Sequence, residues 1–510
     1  MTPLAPIPQS AEELQRFAEL QSGLASMFRD AYADPRAPRT VVVVPSMSLD
    51  PEVLAKIDGV QFYEERMLSM FMLLRLPRTH VVYVTSLPLA PVIVDYYLHL
   101  LGGVPASHAR SRLTLLSAYD ASPRALTSKI LERPRLLSRI RAAIDDPSTA
   151  HLSCFNSTER ERTLAVQLGI PLYACDPALV HLGSKSGSRE IFRAVGAPLP
   201  PGAEGLRDEK DLAAAIASLR GDDPSLRRVV VKLDEGFSGE GNAILDLADA
   251  PSDVSTLTRW AAGALRATLR CEAVDETPER YLEKFARMGG IVEAWVEGDP
   301  KRSPSVQMRV NALGELELIS THDQVLGGPS GQIFLGSTFP ADAAYRDQLH
   351  EAGHRVGAEL ARRGVLGRFA VDFVAAWRDD AWELWAIEIN LRKGGTTLPF
   401  QMLQFLTDGH YDGTTGEFVT PMGQTRAYYA TDNLVRPAYR RFIPEDLIDV
   451  LVEHDLHFDE TTQQGVVFNL IGALSEHGKL GLVCIASTHE AAVELSRRTI
   501  ETLDREAEQA

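Results

Sequence analysis

Short β-branched runs separated by segments of helical period open this chain. Residues 40–44 (TVVVV) and 80–85 (HVVYVT) read as buried strands, and residues 113–116 and 151–155 as two more. Between them lies a helical pattern through Glu64, Glu65 and Arg66 to Leu76, with further helical stretches at 91–101 and 124–144. Strands alternating with helices predict an α/β layer with a mainly parallel sheet, over about residues 1–180. Residues 1–36 are polar and helical at best, and the PRAP segment at 35–38 places the start of order at Arg39.

From Ser184 the pattern changes. A helix over 189–195 precedes Gly and Pro punctuation through Gly205, and strands follow at 228–233 and 290–296. These alternate less regularly with helices and predict a partly antiparallel α+β region, taken as residues 181–420. Residues 409–423 (GHYDGTTGEFVTPMG) read as a linker or mobile loop. A helix at 445–453, strands at 465–470 and 480–485, and a terminal helix at 489–505 then predict a small α+β domain over 421–510.

The most informative stretch is 368–392 (RFAVDFVAAWRDDAWELWAIEINLR). Two apolar runs, 369–377 and 382–389, flank the turn residues Arg378, Asp379 and Asp380, which predicts a β-hairpin. Side chains alternate along a strand, so Glu388, Asn390 and Arg392 share one face while Ile387 and Ile389 take the other. With a loop of three or five residues, Asp372 falls opposite Ala386 or Glu388 and joins that face. Two carboxylates and an amide then converge. At roughly 4 Å two carboxylates repel by about 4 kcal/mol at an effective dielectric near 20, a cost that a divalent cation reverses. Oxygen-only ligands favour Mg²⁺, usually shared with phosphates and water. A hairpin with its polar face in solvent has the same spacing, so the upstream sequence has to decide.

Composition narrows the class. The chain has 510 residues, 45% of them hydrophobic, enough for about three domains with buried cores. A net charge of −17 and a pI near 5.3 argue against a nucleic-acid coat or an anionic membrane surface as partner. Any phosphate site must be locally basic. Cys154, Cys175, Cys271 and Cys484 form no CxxC pair, so a disulfide frame or zinc site is not expected and a reducing cytoplasm fits. No signal pattern opens the chain, and no apolar run approaches the length of a membrane span.

Residues 229–245 (VVVKLDEGFSGEGNAIL) read as a strand ending in Lys232, a loop with Gly236, Ser238, Gly239 and Gly241, and a second strand. Glycines at a hairpin tip let backbone N–H groups approach phosphate oxygens, and the lysine adds a point charge. A dinucleotide fingerprint is rejected for want of a third glycine and a following helix, and no GxxxxGK[ST] occurs. Lys185, in LGSKSGSREIF, lies at the start of a helix from which a cation could reach a phosphate. Residues 290–298 (GIVEAWVEG) form an apolar strand interrupted by Glu293 and Glu297, able to offer backbone groups and a carboxylate to a purine edge.

Taken in order, a Lys before a helix, a strand Lys with a glycine loop, a VEAWVEG strand and a distal D…ExNxR resemble the ATP-grasp superfamily of carboxylate–amine ligases, over about 181–405. The flanking segments PSMSL (45–49), YEER (63–66), STHDQVLGG (320–328), GQIFLGSTFP (331–340), YRRFIPEDLIDVL and GVVFNLIGAL are similar to peptide ligases related to the pheganomycin-type enzyme. The resemblance implies an N-terminal α/β pre-ATP-grasp domain, an ATP-grasp core of two α+β subdomains gripping ATP, and a small C-terminal α+β domain. It implies that Lys185 and Lys232 bind ATP phosphates, that Glu293 and the backbone near Trp295 bind adenine, and that the 236–241 loop closes over the triphosphate. Asp372, Glu388 and Asn390 would hold Mg²⁺, with Arg392 beside the reacting phosphate and Lys232 and Arg309 absorbing developing charge. The ribose contact is Glu297 or Asp299, since DPKRSP intervenes where an acidic or His partner is common.

His322, Asp323 and Gln324 form a polar patch on an otherwise apolar strand, and line the acyl or amine pocket or else build a turn. The activity implied is amide formation through an acyl phosphate, between a small-molecule acid and an amine or peptide, in peptide natural-product biosynthesis. A homodimer stays open. The same nucleotide cradle would also serve a kinase or phosphotransferase; a non-catalytic nucleotide-binding module ranks last, since it predicts damaged ligands and Lys185, Lys232, Asp372, Glu388, Asn390 and Arg392 are all intact.

Overall fold

The computed structural model describes residues 10–236, 241–273, 275–327, 331 and 333–509. Arg39–Val44, Thr79–Thr85, Leu113–Ser117 and Ala150–Cys154 form a sheet in the order third, second, first, fourth, with every pair parallel. Unbroken valine runs suit strands covered on both faces, and Val41 to Val44 are all buried. Order begins well before Arg39. Ser10 caps the helix Ala11–Ser22, whose Phe17 enters the cluster of Val42, Val44 and Leu164, while Glu13 accepts from Arg162 and Thr163. The helical pattern at 124–144 divides into Leu126–Leu131 and Pro134–Ala142, because Pro134 lacks an N–H and starts a new helix.

The second sheet is antiparallel, in the order Gly202–Leu206, Gly290–Ala294, Arg228–Leu233, Asn242–Asp246 and Arg270–Cys271. Helices Glu209–Asp222, Val254–Ala267 and Pro278–Met288 bury Leu212, Leu265 and Phe285 against it.

The third sheet, nine-stranded and antiparallel, holds the hairpin Gly367–Arg378 and Ala381–Asn390 beside Pro304–Val310, Leu316–Gly327 and Ile333–Phe339. It does not break at residue 420. Ile333–Phe339 pairs with Ala427–Val435, and Lys479–Ala486 and Gly465–Asn469 continue the same sheet. One apolar cluster then joins Leu68, Phe71 and Tyr83 of the first layer to Val483 and Leu503 near the C-terminus, and Tyr97 donates to the Phe468 carbonyl at 3.1 Å. The stretch expected as a linker is instead a hairpin, His410–Asp412 with Glu417–Val419. Its Gly and Thr residues serve the turn, while Phe418 is buried against Phe339 and Phe400. No described helix is long and apolar enough to cross a membrane.

Candidate functional site

The turn of the central hairpin is shorter than the sequence suggests. Arg378 pairs with Ala381, leaving Asp379 and Asp380, both at positive φ (48° and 61°), as a two-residue turn that matches strand twist. That even loop would set Asp372 opposite Ile387, on the wrong face. A bulge corrects it: Phe373 pairs with Ala386 but Asp372 with Glu388, so Ile387 is the extra residue. Asp372, Glu388 and Asn390 therefore share a face through a bulge and not through loop length.

There Asp372 accepts from Gln324 and from Asn390, each at 2.8 Å, while the Asn390 oxygen accepts from Arg392 at 2.8 Å. Lys185 spans the cleft, its ammonium 2.6 Å from Glu388 and 3.3 Å from the Gly236 carbonyl. Burial, and then the charge of Glu388, push the Asp372 carboxyl up to about 7, with Arg392, Lys185 and Gln324 pulling the other way. Two carboxylates and a carboxamide are a small donor set; among the described residues no group of three or more His, Cys, Asp and Glu is placed to hold a metal.

A second cluster carries the remaining cations. Lys232, at the end of its strand, pairs with Glu293 on the neighbouring strand, and the other oxygen of Glu293 accepts from Arg189 at 3.0 Å. All three side chains are buried. Lys185 and Arg189 stand four apart on the helix Lys185–Ala194 and so share a face, which is the signal that would have named Arg189 from the sequence. The neck of the glycine loop is made by close approach: a Cβ on Gly241 would lie 2.7 Å from the Gly236 Cα. Asp234 docks that neck to the helix by accepting from the Ser186 N–H at 2.8 Å and its hydroxyl at 3.1 Å. Ser238 and Gly239 lie outside the described residues. Trp295 sits under Lys301 and Arg228, at 4.3 and 5.0 Å from the ring centre, and Glu297 is held by Arg228 in a two-pronged pair.

Not every expected residue comes to this place. Arg309 lies opposite Arg368, four residues along from Ser305, which pairs with Asp372, and it is bonded to Glu317. His322 turns into the core, its Nε2 2.6 Å from the Tyr428 hydroxyl, and burial lowers its pKa to about 3, so it stays neutral. Asp323 accepts from the Tyr345 hydroxyl and the Asp342 N–H at the start of the helix Ala343–Arg362. Of that trio, Gln324 is the member that reaches Asp372. Residues from the first layer also approach: the Arg66 and Arg392 guanidinium carbons lie 5.9 and 6.0 Å from the centre of the Phe155 ring. Phe155 follows the fourth strand at the point where strand order reverses, the usual crevice for ligands in a parallel sheet.

Residues 177–263 and 254–414 match the family described as IQCH-like, ATP-grasp, and residues 446–499 match the PGM1 C-terminal domain. Over 472 residues the chain is 30% identical to the L-propargylglycine–L-glutamate ligase of Streptantibioticus cattleyicolor, covering 90% of this chain and 92% of that one. It is 25% identical over 457 residues to IQ motif-containing protein H of Danio rerio, covering 81% of this chain but 43% of that relative. The biotin carboxylase domain of Hydrogenobacter thermophilus 2-oxoglutarate carboxylase, solved with ADP, its magnesium salt and bicarbonate, shares the fold. It covers 91% of this chain and 90% of its own, with a TM-score of 0.55 and 13% identity. Fold and site together define an ATP-grasp protein. The chain belongs to the ATP-grasp family of ATP-dependent ligases that form C–N bonds.

Proposed function

We propose that this ligase transfers the γ-phosphoryl group of ATP to a carboxylate and then passes the acyl group to an amine. The observation that carries the reading is the meeting of the half-buried Asp372, Glu388 and Asn390 with Lys185 and Arg392. The relative that spans nearly the whole chain is named for joining L-propargylglycine to L-glutamate, so amino acids are the substrate class taken here for both acid and amine.

The donor set fits Mg²⁺. Asp372 is a half-buried carboxyl raised first by burial and then by the neighbouring Glu388 carboxylate, and every candidate donor is an oxygen. Asp372, Glu388 and Asn390 would hold the ion, which when bound supplies positive charge to the terminal phosphates. Lys185 and Lys232 bind phosphate oxygens, the loop from Gly236 to Gly241 excludes water from them, and the adenine lies near Trp295. Arg392, oriented by Asn390, meets the charge that builds on the transferring group.

A carboxylate oxygen attacks the γ-phosphorus, the bond to ADP breaks, and an acyl phosphate forms. The amine then attacks the acyl carbon, phosphate leaves with that oxygen, and the nitrogen loses a proton. With an ¹⁸O-labelled acid, the label is expected in inorganic phosphate and the nucleotide product is ADP. Label in AMP would mean adenylation, and a stable phosphorylated acceptor without amide would mean a kinase; either overturns the proposal.

A further inference from the structure

A separate cavity of about 630 Å³ opens between the first sheet and the central one. It is bounded by the N-terminal ends of two parallel strands, at Arg39 and Thr149, and by the start of the strand that carries Asp372, at Gly367 and Arg368. Arg368 stands four residues before Asp372, about 13 Å along an extended strand. Ligand crevices of parallel sheets lie at the opposite, C-terminal ends of the strands. Neither Asp372, Glu388 nor Arg392 lines the cavity, which comes nearest to them at Lys393, bonded to the Cys154 carbonyl at the far end of the fourth strand.

Its charge runs against that of the chain. The protein carries −17 overall, yet Arg39, Arg309, Arg368 and Lys393 line this space against Glu317 and Asp408. Both carboxylates are engaged: Glu317 accepts from Arg309 at 3.0 Å and Asn311 at 2.9 Å, and Asp408 from Arg75 at 2.7 and 2.8 Å. Arg368 donates to the Gln307 amide oxygen at 3.1 Å, and Lys393 to the Cys154 carbonyl at 2.5 Å and the Ser153 hydroxyl at 3.3 Å. These acceptors are neutral. Burial lowers Lys393 to about 8 and Arg368 to about 10. Half-buried cations hydrogen-bonded to neutral acceptors at a cavity wall are an arrangement that a bound anion stabilises. The remaining wall is apolar, with Met27, Phe28, Met70 and Phe405, and the volume is that of a small-metabolite pocket.

We infer that this cavity is a second ligand site for a small amphipathic anion, with a carboxylate or phosphate head on Arg368 and Lys393 and an apolar body against Met27, Phe28, Met70 and Phe405. Lys393 follows Arg392, and its N–H donates to the Phe155 carbonyl at 3.1 Å. A ligand held here therefore acts on the backbone that places Arg392 without touching the nucleotide.

The test uses the full chain and thermal unfolding with 3-phenylpropanoate, phenyl phosphate and, as a neutral counterpart, 3-phenylpropanamide. At least one anion is expected to raise the Tm in a concentration-dependent way while the amide does not, and which anion does so tells a carboxylate from a phosphate. Arg368→Gln is expected to weaken anion binding at least about tenfold, since a charge-assisted bond is lost, and to leave stabilisation by MgATP unchanged. Met27→Trp, which fills the apolar end and keeps every cation, is expected to weaken it too and serves if Arg368→Gln does not fold. The inference fails if neither anion stabilises the protein, if the amide stabilises it equally, or if the folded variants bind the anions as the wild type does.

Discussion

Asp372 and Glu388 stand directly opposite one another across a hairpin whose two-residue turn would not by itself pair them; the bulge at Ile387 does. With both on one face, burial and then the charge of Glu388 push the Asp372 carboxyl up, and a cation beside the pair is the natural relief. Glu388→Gln keeps the shape and removes one charge. Turnover is expected to fall by at least about 100-fold while circular dichroism shows the fold intact, with some loss of thermal stability because Lys185 loses its carboxylate partner. Near-wild-type turnover in saturating Mg²⁺ would remove Glu388 from the metal site.

Much of this site was legible in the chain, and the exceptions have physical reasons. Period-two spacing puts Glu388, Asn390 and Arg392 on one face, while Lys185, Lys232 and the mid-strand Asp372 stand out through the order of motifs that resembles the ATP-grasp ligases. Loop parity failed for the hairpin because a bulge leaves no mark in composition: Ile387 looks like any core strand residue. His322 looked polar and available, yet a polar residue on an apolar strand can also turn inward to a buried Tyr428. The linker reading of 409–423 failed because Gly and Thr dominate the count, while two aromatics, Tyr411 and Phe418, both against Phe339, decide the packing. The continuous sheet from Pro304–Val310 to Lys479–Ala486 depends on pairing between distant strands, which no local pattern records.

The glycine loop gives a second prediction. At its neck a Cβ on Gly241 would lie 2.7 Å from the Gly236 Cα, so a side chain there would press on Gly236 or force the neck open. Gly241→Val is expected to weaken ATP binding at least about tenfold, as backbone N–H groups lose their close approach to phosphate. Fluorescent-nucleotide titration measures it. An unchanged affinity would mean that the loop does not cradle the nucleotide.

The third concerns pH. Glu65, in the helical segment Val60–Arg75, is buried where the first layer meets the C-terminal strands, accepting from the Gly472 N–H at 3.0 and 3.2 Å. Burial pushes its carboxyl up to about 8, and the neighbouring Glu64 up to about 7. Both folded values lie above the unfolded ones, so the native state binds more protons between them. This contribution to stability is full below about pH 4.5 and is lost as pH rises through about 7 to 8. Glu65→Gln keeps the Gly472 hydrogen bond and cannot ionise. Urea unfolding at acidic and alkaline pH is expected to show a fall in stability that is smaller in the variant, and a fall of equal size would assign it to other groups.

The last prediction separates scaffold from nucleotide binding in the cluster Lys232–Glu293–Arg189. Glu293 lies between two cations, with its side chain and that of Arg189 each 3% exposed and that of Lys232 6% exposed. A buried pair broken on one side leaves an uncompensated charge, which costs on the order of 3–5 kcal/mol. Glu293→Gln therefore leaves Lys232 without its carboxylate, and Arg189 with Glu204 as its remaining carboxylate partner. Stability without nucleotide is expected to drop by roughly that amount. ATP, whose phosphates are anions, is expected to restore more stability to the variant than to the wild type, because Lys232 regains a counter-charge on binding. Thermal unfolding with and without MgATP reads both effects. If the increment from MgATP is the same in the two proteins, Lys232 is a structural partner of Glu293 and does not contact phosphate.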